Sequence, residues 1–224
     1  MQHAPSAAVS ARADFLAGLM AIAPAVVAAA PFGLLLGALG AEKGLSPLEV
    51  GLMSGLMFAG GAQFVTLDLW TTPAAWASLG LAALLVNLRH VLMGASLNRS
   101  MGAFSPAAKV LALLLLADEI WALAERRAAT HRLTPAHYAG LAAIMYVNWV
   151  FFTVLGAALG AALGDPTEYG FDFAFTAIFI GLIAGFRRAP GFAVVIAASA
   201  VAAVAVAALL PGPVSIAAGA AAGV

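Results

Sequence analysis

Long apolar segments, separated only by short polar loops, constrain this chain more than any other feature of its sequence. The first segment runs from Phe15 to about Leu39 and is much longer than the apolar core of a signal peptide. Of the 224 residues, 64% are hydrophobic and only 9% are charged, whereas a soluble domain carries about 25% charged residues. Because such a chain cannot cover itself with a solvated surface, it is predicted to be an integral membrane protein.

The continuous apolar runs predict an all-α fold, that of a polytopic helical membrane protein. At about 20 residues per spanning helix the chain has room for six or seven spans, of which seven is the preferred count. The whole chain, 1–224, is one predicted membrane domain. Its predicted spans are about 14–40, 47–69, 74–97, 106–124, 135–163, 172–186 and 190–210.

Proline positions set several of these boundaries. Ser46-Pro47 and Ser105-Pro106 are typical helix starts, with serine at the N-cap and proline at the first helical position. Pro24 and Pro31 are expected to break the first span. The small, apolar tail after residue 210 is expected to be poorly ordered.

The basic residues of the short loops predict the orientation in the membrane. With seven spans, the two sides carry six and three basic residues: Arg12, Arg126, Arg127, Arg132, Arg187 and Arg188 against Lys43, Arg99 and Lys109. The richer side is expected to be cytoplasmic, which places the N-terminus in the cytoplasm.

The stretch FAGGAQF, residues 58–64, predicts a discontinuous second helix. Gly60 and Gly61 allow the backbone to leave helical geometry, and Gln63 offers hydrogen-bond donors and an acceptor at membrane depth. Exposed backbone groups at such a break can bind the charged ends of an amino acid. Gly60, Gly61, Gln63 and Phe64 are therefore candidate substrate-binding residues. Close helix packing at the glycines is the alternative interpretation.

The stretch VNLRH places three polar residues inside the third span. Arg89 needs an acidic partner or a water-filled cavity, because a charged side chain in hydrocarbon is costly. Asp118 is the expected partner, with Glu119 beside it. Arg89, His90, Asp118 and Glu119 are candidates for coupling protonation to transport, and a purely structural ion pair is the alternative. Asn87 is a candidate substrate-binding residue.

Other kinds of chemistry find little support in the sequence. Asn148, inside the fifth span, is a further candidate for substrate binding, although it can equally bond to a neighbouring helix. The chain lacks cysteine, an ATP-binding G-x-x-x-x-G-K-[ST] motif and a basic tract for nucleic acid, so neither a cofactor nor a metal is predicted. Ser54 and His90 do not form a recognisable nucleophile–base motif, and the chain is not expected to be an enzyme.

Four stretches together resemble the AzlC-type family of branched-chain amino acid exporters. They are APFGLLLGALGAEKGLSPLEVGLMSGLMFAGGAQF (30–64), LLVNLRHVLMGASL (84–97), ADEIWAL (117–123) and YGFDFAFTAIFIGLI (169–183). The family motifs match Gly60, Gly61, Gln63, Phe64, Asn87, Arg89, His90, Asp118 and Glu119.

This resemblance implies the large subunit of a two-component secondary exporter in the bacterial cytoplasmic (inner) membrane. The substrates would be leucine, isoleucine and valine, and in some members methionine. The export would be gradient-driven, and the implied partner is a small AzlD-type membrane subunit. A non-transporting scaffold, or a permease subunit of a larger complex, is the alternative.

Overall fold

The computed structural model describes residues 10–163, 191–210 and 214–223, together with Ile180, Ala184 and Arg187. Its helices are α1 (Ala11–Glu42), α2 (Pro47–Leu56), α3 (Gly60–Asp68), α4 (Trp76–Asn98), α5 (Pro106–Leu114), α6 (Asp118–Thr130), α7 (Pro135–Leu163), α8 (Phe192–Leu209) and α9 (Val214–Ala222). Of these, α1, α4, α7 and α8 are long and apolar enough to cross a membrane. The predicted all-α membrane fold is confirmed, while the count of about seven spans is not.

Several boundaries follow the sequence closely. Pro47 and Pro106 are the first residues of α2 and α5, and each helix is capped by the preceding serine hydroxyl, as predicted. At the start of α2, Ser46 and Glu49 cap each other reciprocally. The fifth predicted span, 135–163, coincides with α7.

Other segments differ from the expectation. α1 continues through Pro24 and Pro31 without a break. The predicted span at 47–69 is divided at 57–59, as expected, but the span at 106–124 is also divided, at 115–117. The predicted sixth span, 172–186, lies outside the described residues apart from Ile180 and Ala184.

The tail contains a helix, α9, where disorder was expected. α9 packs on α8, and Gly219 lies against Ala203 and Ser199. Small side chains explain the difference, because they allow the two helices to approach closely without a large apolar contact.

The chain divides into two compact units. Unit 1 consists of the described residues of 1–33 and 89–152, and unit 2 consists of those of 34–88 and 153–224. Unit 1 therefore contains α5 and α6, whereas unit 2 contains α2 and α3.

In unit 1, α1 packs against α7 through glycine. A Cβ atom added at Gly18 would overlap the carbonyl oxygen of His137, and one added at Gly140 would overlap the carbonyl oxygen of Phe15. Higher residue numbers of α1 meet higher residue numbers of α7, since Asn148 contacts Val26 further along both helices. The two helices are therefore parallel and in backbone contact.

Unit 2 repeats this arrangement with the later parts of the same helices. A Cβ atom at Gly37 would overlap the carbonyl oxygen of Thr153, and one at Gly156 would overlap that of Leu34. Only a residue without a side chain fits such a crossing, which is the reason for glycine at these positions.

In unit 1, α5 runs antiparallel to α4. Lys109 Nζ donates to Asn98 Oδ1 at 2.9 Å, and further into the helix Leu113 lies beside Gly94. As α5 advances, its contacts on α4 therefore move back along that helix.

α6 runs in the opposite direction to α5. Asp118 contacts Arg89 and, seven residues later, Glu125 contacts Ser96, which is also seven residues later on α4. α5 and α6 consequently form a re-entrant hairpin whose tip is residues 115–117. Within unit 1, this segment runs along α4 and returns to the same end, whereas the sequence predicts a single crossing at 106–124; that crossing stays a prediction.

In unit 2, α2 and α3 are joined by a bend, and the pair is called the α2–α3 hairpin below. Gln63 Nε2 donates to Ser54 Oγ at 2.9 Å. Nine residues of straight helix extend about 13 Å, which is more than these two side chains can bridge. The chain must therefore bend sharply between them, at the tip formed by residues 57–59.

The hairpin in unit 1 makes a testable prediction about membrane topology. Gly102→Cys lies in the loop before α5, where an added side chain meets open space, and His131→Cys is an exposed position after α6. Since the chain has no cysteine of its own, an impermeant maleimide should label both variants from the same side of sealed vesicles. Labelling from opposite sides would mean that the segment between these two positions crosses the membrane once, and the hairpin would be wrong.

The glycine contact in unit 2 makes a second prediction. Gly156→Ala places a methyl group on the backbone of Leu34 and should cost about 1–3 kcal/mol of unfolding free energy, seen as a lower thermal midpoint in detergent. Gly80→Ala is the matched control, because it meets open space within α4. Equal midpoints for the two variants would contradict the proposed backbone contact.

Candidate functional site

The tip of the α2–α3 hairpin contains the predicted glycine break. Gly60 and Gly61 are the first two residues of α3, and its N-cap residue, Ala59, makes no side-chain capping hydrogen bond. The first N–H groups of a helix lack intrahelical acceptors. α3 therefore begins with backbone donors and without side chains to cover them, at a position where the sequence predicts substrate binding.

Gln63 and Phe64 lie immediately behind this tip. Both are buried, with 0% of Gln63 and 4% of Phe64 exposed. The Gln63 amide donates to the hydroxyl of Ser54, which is also 0% exposed. Sequence reasoning missed Ser54 as a structural partner. The signal in the sequence was a polar residue within an apolar segment on each side of the predicted helix break.

The polar stretch on α4 is divided between the two units. Asn87 belongs to unit 2 and is partly buried, and its side-chain oxygen has no hydrogen-bond partner among the described residues. Arg89 and His90 belong to unit 1 and are also partly buried.

The expected ion pair between Arg89 and Asp118 is confirmed. Arg89 Nη1 lies 2.8 Å from Asp118 Oδ2. The acid is the first residue of α6, directly after the hairpin tip, and the arginine lies near the middle of α4. The structure thus brings these two predicted residues together, within unit 1.

The position of Asp118 and Glu119 at the start of α6 has an electrostatic cause. The N-cap residue, Ala117, provides no side-chain cap. Two carboxylates in the first turn interact favourably with the positive end of the helix dipole instead. Glu119 is exposed and makes no salt bridge among the described residues.

Asn148 has a structural explanation. Its Nδ2 donates to the backbone carbonyl of Val26 at 3.1 Å, which links α7 to α1. The contact corresponds to the alternative considered for this residue, a hydrogen bond to a neighbouring helix, and requires no substrate.

A second ion pair in unit 1 was not predicted. Arg127 Nη2 lies 3.0 Å from Asp14 Oδ1, and the Thr134 hydroxyl donates to Asp14 Oδ2. Only 7% of the Asp14 side chain is exposed. The sequence signal that could have indicated this pair was Asp14 itself, because an acid directly before a long apolar run needs a basic partner. This pair fastens the end of α6 to the beginning of α1.

A third polar contact joins α4 and α6 between these two ion pairs. Ser96 Oγ donates to Glu125 Oε1 at 2.8 Å and accepts a hydrogen bond from Trp121 Nε1 at 2.9 Å. Asp118, Trp121 and Glu125 lie on one side of α6, because they are spaced by three and four positions. The α5–α6 hairpin is thereby held in register against α4.

Comparison with known proteins identifies the family. The family model described as AzlC protein matches residues 24–163. The chain belongs to the AzlC family. The matched region contains both hairpins and the Arg89–Asp118 pair, so that the geometry described above lies within the family's own region.

Two relatives extend this comparison. The Inner membrane protein YgaZ of Escherichia coli K12 is 33% identical over 186 residues, covering 79% of this chain and 75% of YgaZ. An uncharacterized membrane protein of Archaeoglobus fulgidus is 29% identical over 152 residues, covering 68% of this chain and 65% of that protein. No solved structure matches the chain.

The hydrogen bond across the α2–α3 hairpin can be tested by mutation. Ser54→Ala removes the acceptor of the Gln63 amide and should cost about 1 kcal/mol of unfolding free energy. The measurement is the thermal unfolding midpoint of the purified protein. Ser78→Ala, at a partly buried helical position, should have a smaller effect. If the two variants unfold at the same temperature, the bond does not stabilise the hairpin.

Proposed function

We propose that this AzlC-family membrane protein is a secondary transporter subunit that exports branched-chain amino acids, namely leucine, isoleucine and valine, and methionine as a further substrate. The observation that carries the proposal is a pair of helix breaks at hairpin tips. Non-helical backbone at membrane depth is tolerated only where it is buried in protein or lines a water-filled cavity. Transporters use such discontinuous helices to bind polar parts of their substrates.

Each tip, taken by itself within its own unit, has chemistry that can bind part of an amino acid. The start of α3 presents backbone donors at Gly60 and Gly61, and the start of α6 presents Asp118 paired with Arg89. Phe64 is apolar and lies next to the first of these groups. The supporting argument is that each unit, considered alone, offers polar groups of a kind that can bind a charged end of a small zwitterion.

The orientation that we propose places the N-terminus in the cytoplasm. Because α5 and α6 return to the same end of unit 1, the basic residues of the loops 99–105 and 131–134 lie with those at the start of α1. Together with the adjoining ends of α5 and α6, this end of unit 1 carries six arginines and lysines: Arg12, Arg99, Lys109, Arg126, Arg127 and Arg132. The positive-inside rule assigns this end to the cytoplasm. YgaZ is named an inner membrane protein, which supports the same membrane here.

An efflux experiment tests this function. Cells that lack their own exporters are loaded with leucine- or valine-containing dipeptides, and the chain is expressed with and without a small AzlD-type partner. External leucine should rise faster when both proteins are present. Gly61→Val should abolish this increase without lowering the amount of protein in the membrane, because a branched side chain would cover the backbone donors at the start of α3.

The same assay contains the outcome that would reject the proposal. If wild-type protein with its partner exports none of leucine, isoleucine, valine and methionine, the assigned substrate class is wrong. If the chain expressed without its partner raises leucine efflux above that of cells lacking the chain, the partner is dispensable.

A further inference from the structure

The two ion pairs of unit 1 differ in how completely they are enclosed. In the Arg127–Asp14 pair, 24% and 7% of the side chains are exposed, and Thr134 donates a further hydrogen bond to the acid. In the Arg89–Asp118 pair, 40% and 49% of the side chains are exposed. The first pair is therefore closed and the second is open.

The open pair lies at the greater depth along its helix. Asp14 is the fourth residue of α1, whereas Arg89 lies near the middle of the 23-residue α4, a helix that is apolar enough to cross the membrane. A half-exposed charged pair near mid-membrane cannot face lipid without a large free-energy cost. Its open side must therefore face polar surroundings, namely a water-filled cavity, a polar ligand or a polar group of another protein surface.

The guanidinium of Arg89 also has unused hydrogen-bonding capacity. Arginine carries five N–H donors. Among the described residues, its salt bridge is made by Nη1 alone. Its Nε is buried, so the donors that a ligand on the open side could use are those of the two Nη groups. A bound carboxylate can accept two hydrogen bonds from such a group.

From these observations we propose that Arg89 and Asp118 form a recognition site for the zwitterionic end of an α-amino acid. The substrate carboxylate pairs with Arg89, and its ammonium group pairs with Asp118. Without substrate the two side chains neutralise each other. This inference rests on the proposed function and gives the pair a binding role where the sequence suggested a coupling role.

Charge balance explains why the substrate would have to be zwitterionic. Inserting a ligand with one positive and one negative group replaces one ion pair with two and leaves the net charge of the site unchanged. A ligand that lacks either group leaves Arg89 or Asp118 without an opposite charge. A charge without an opposite partner at membrane depth is costly.

The experiment compares three ligands of the same aliphatic shape on the purified full-length protein. L-Leucine carries both charges, L-leucinol lacks the carboxylate, and N-acetyl-L-leucine lacks the ammonium group. Binding is followed by the ligand-induced rise in the unfolding midpoint. Leucine should bind at least about tenfold more tightly than either analogue. Comparable affinity for either analogue would overturn the inference.

Two double variants separate recognition from a structural role. Arg89→Gln/Asp118→Asn replaces the pair with neutral amides, and Arg89→Asp/Asp118→Arg exchanges the charges. Both should retain near-wild-type amounts of folded protein while losing at least about tenfold in leucine affinity. Wild-type leucine affinity in either folded variant would show that the pair is only structural.

The matched control is the closed pair of the same unit. Asp14→Asn/Arg127→Gln should lower the unfolding midpoint but keep the preference for leucine over both analogues. Loss of that preference in the control would contradict a specific role for Arg89 and Asp118.

The design distinguishes this inference from the exporter assignment. If leucine does not bind, the other neutral amino acids from glycine to tryptophan are tested in the same way. A zwitterion that binds and whose binding requires both charges supports the recognition site even if branched-chain export fails. If no neutral amino acid binds, the inference is wrong.

Discussion

Backbone contact between α1 and α7 is the interaction on which each unit is built. Gly18 and Gly140 allow it in unit 1, and Gly37 and Gly156 allow it in unit 2. Apolar side chains gain little from packing against each other in a membrane, because lipid is equally apolar. Close approach of two backbones is a stronger source of stability there, and it gives the other helices a fixed surface on which to pack.

Each unit then adds one pair of short helices, here called its hairpin, to this helix pair. The hairpins share a plan: a Ser-Pro helix start, a first helix of nine or ten residues, a three-residue tip and a second helix. The tips interrupt the backbone hydrogen bonds of the helices, which is costly in lipid. Their presence in both units indicates that protein or a water-filled cavity, and not lipid, meets the chain at these points.

Polar side chains fix the hairpin of unit 1 against its neighbours. The Arg127–Asp14 pair fastens the end of α6, the Ser96–Trp121–Glu125 contacts hold its middle, and the Arg89–Asp118 pair holds its beginning. The first of these is closed, and the last is open. A rigid support on one side and an open charged pair on the other is the arrangement expected of a binding site.

The sequence by itself determined the class of the protein and many helix ends. Continuous apolar runs required a helical membrane protein, and Pro47 and Pro106 marked helix starts, because these are effects of composition and local backbone chemistry. The need of Arg89 for an acid also followed, since a lone charge in hydrocarbon is costly.

Only the tertiary structure decided where the chain reverses. The segment 106–124 is apolar enough to be read as a crossing, and its reversal at 115–117 depends on contacts with α4 that local sequence does not reveal. The partners of Gln63 and Asp14 were equally hidden, because Ser54 lies across a hairpin and Arg127 lies more than a hundred residues away along the chain. Hydrophobicity indicates which residues enter the membrane, whereas packing between helices decides whether they cross it.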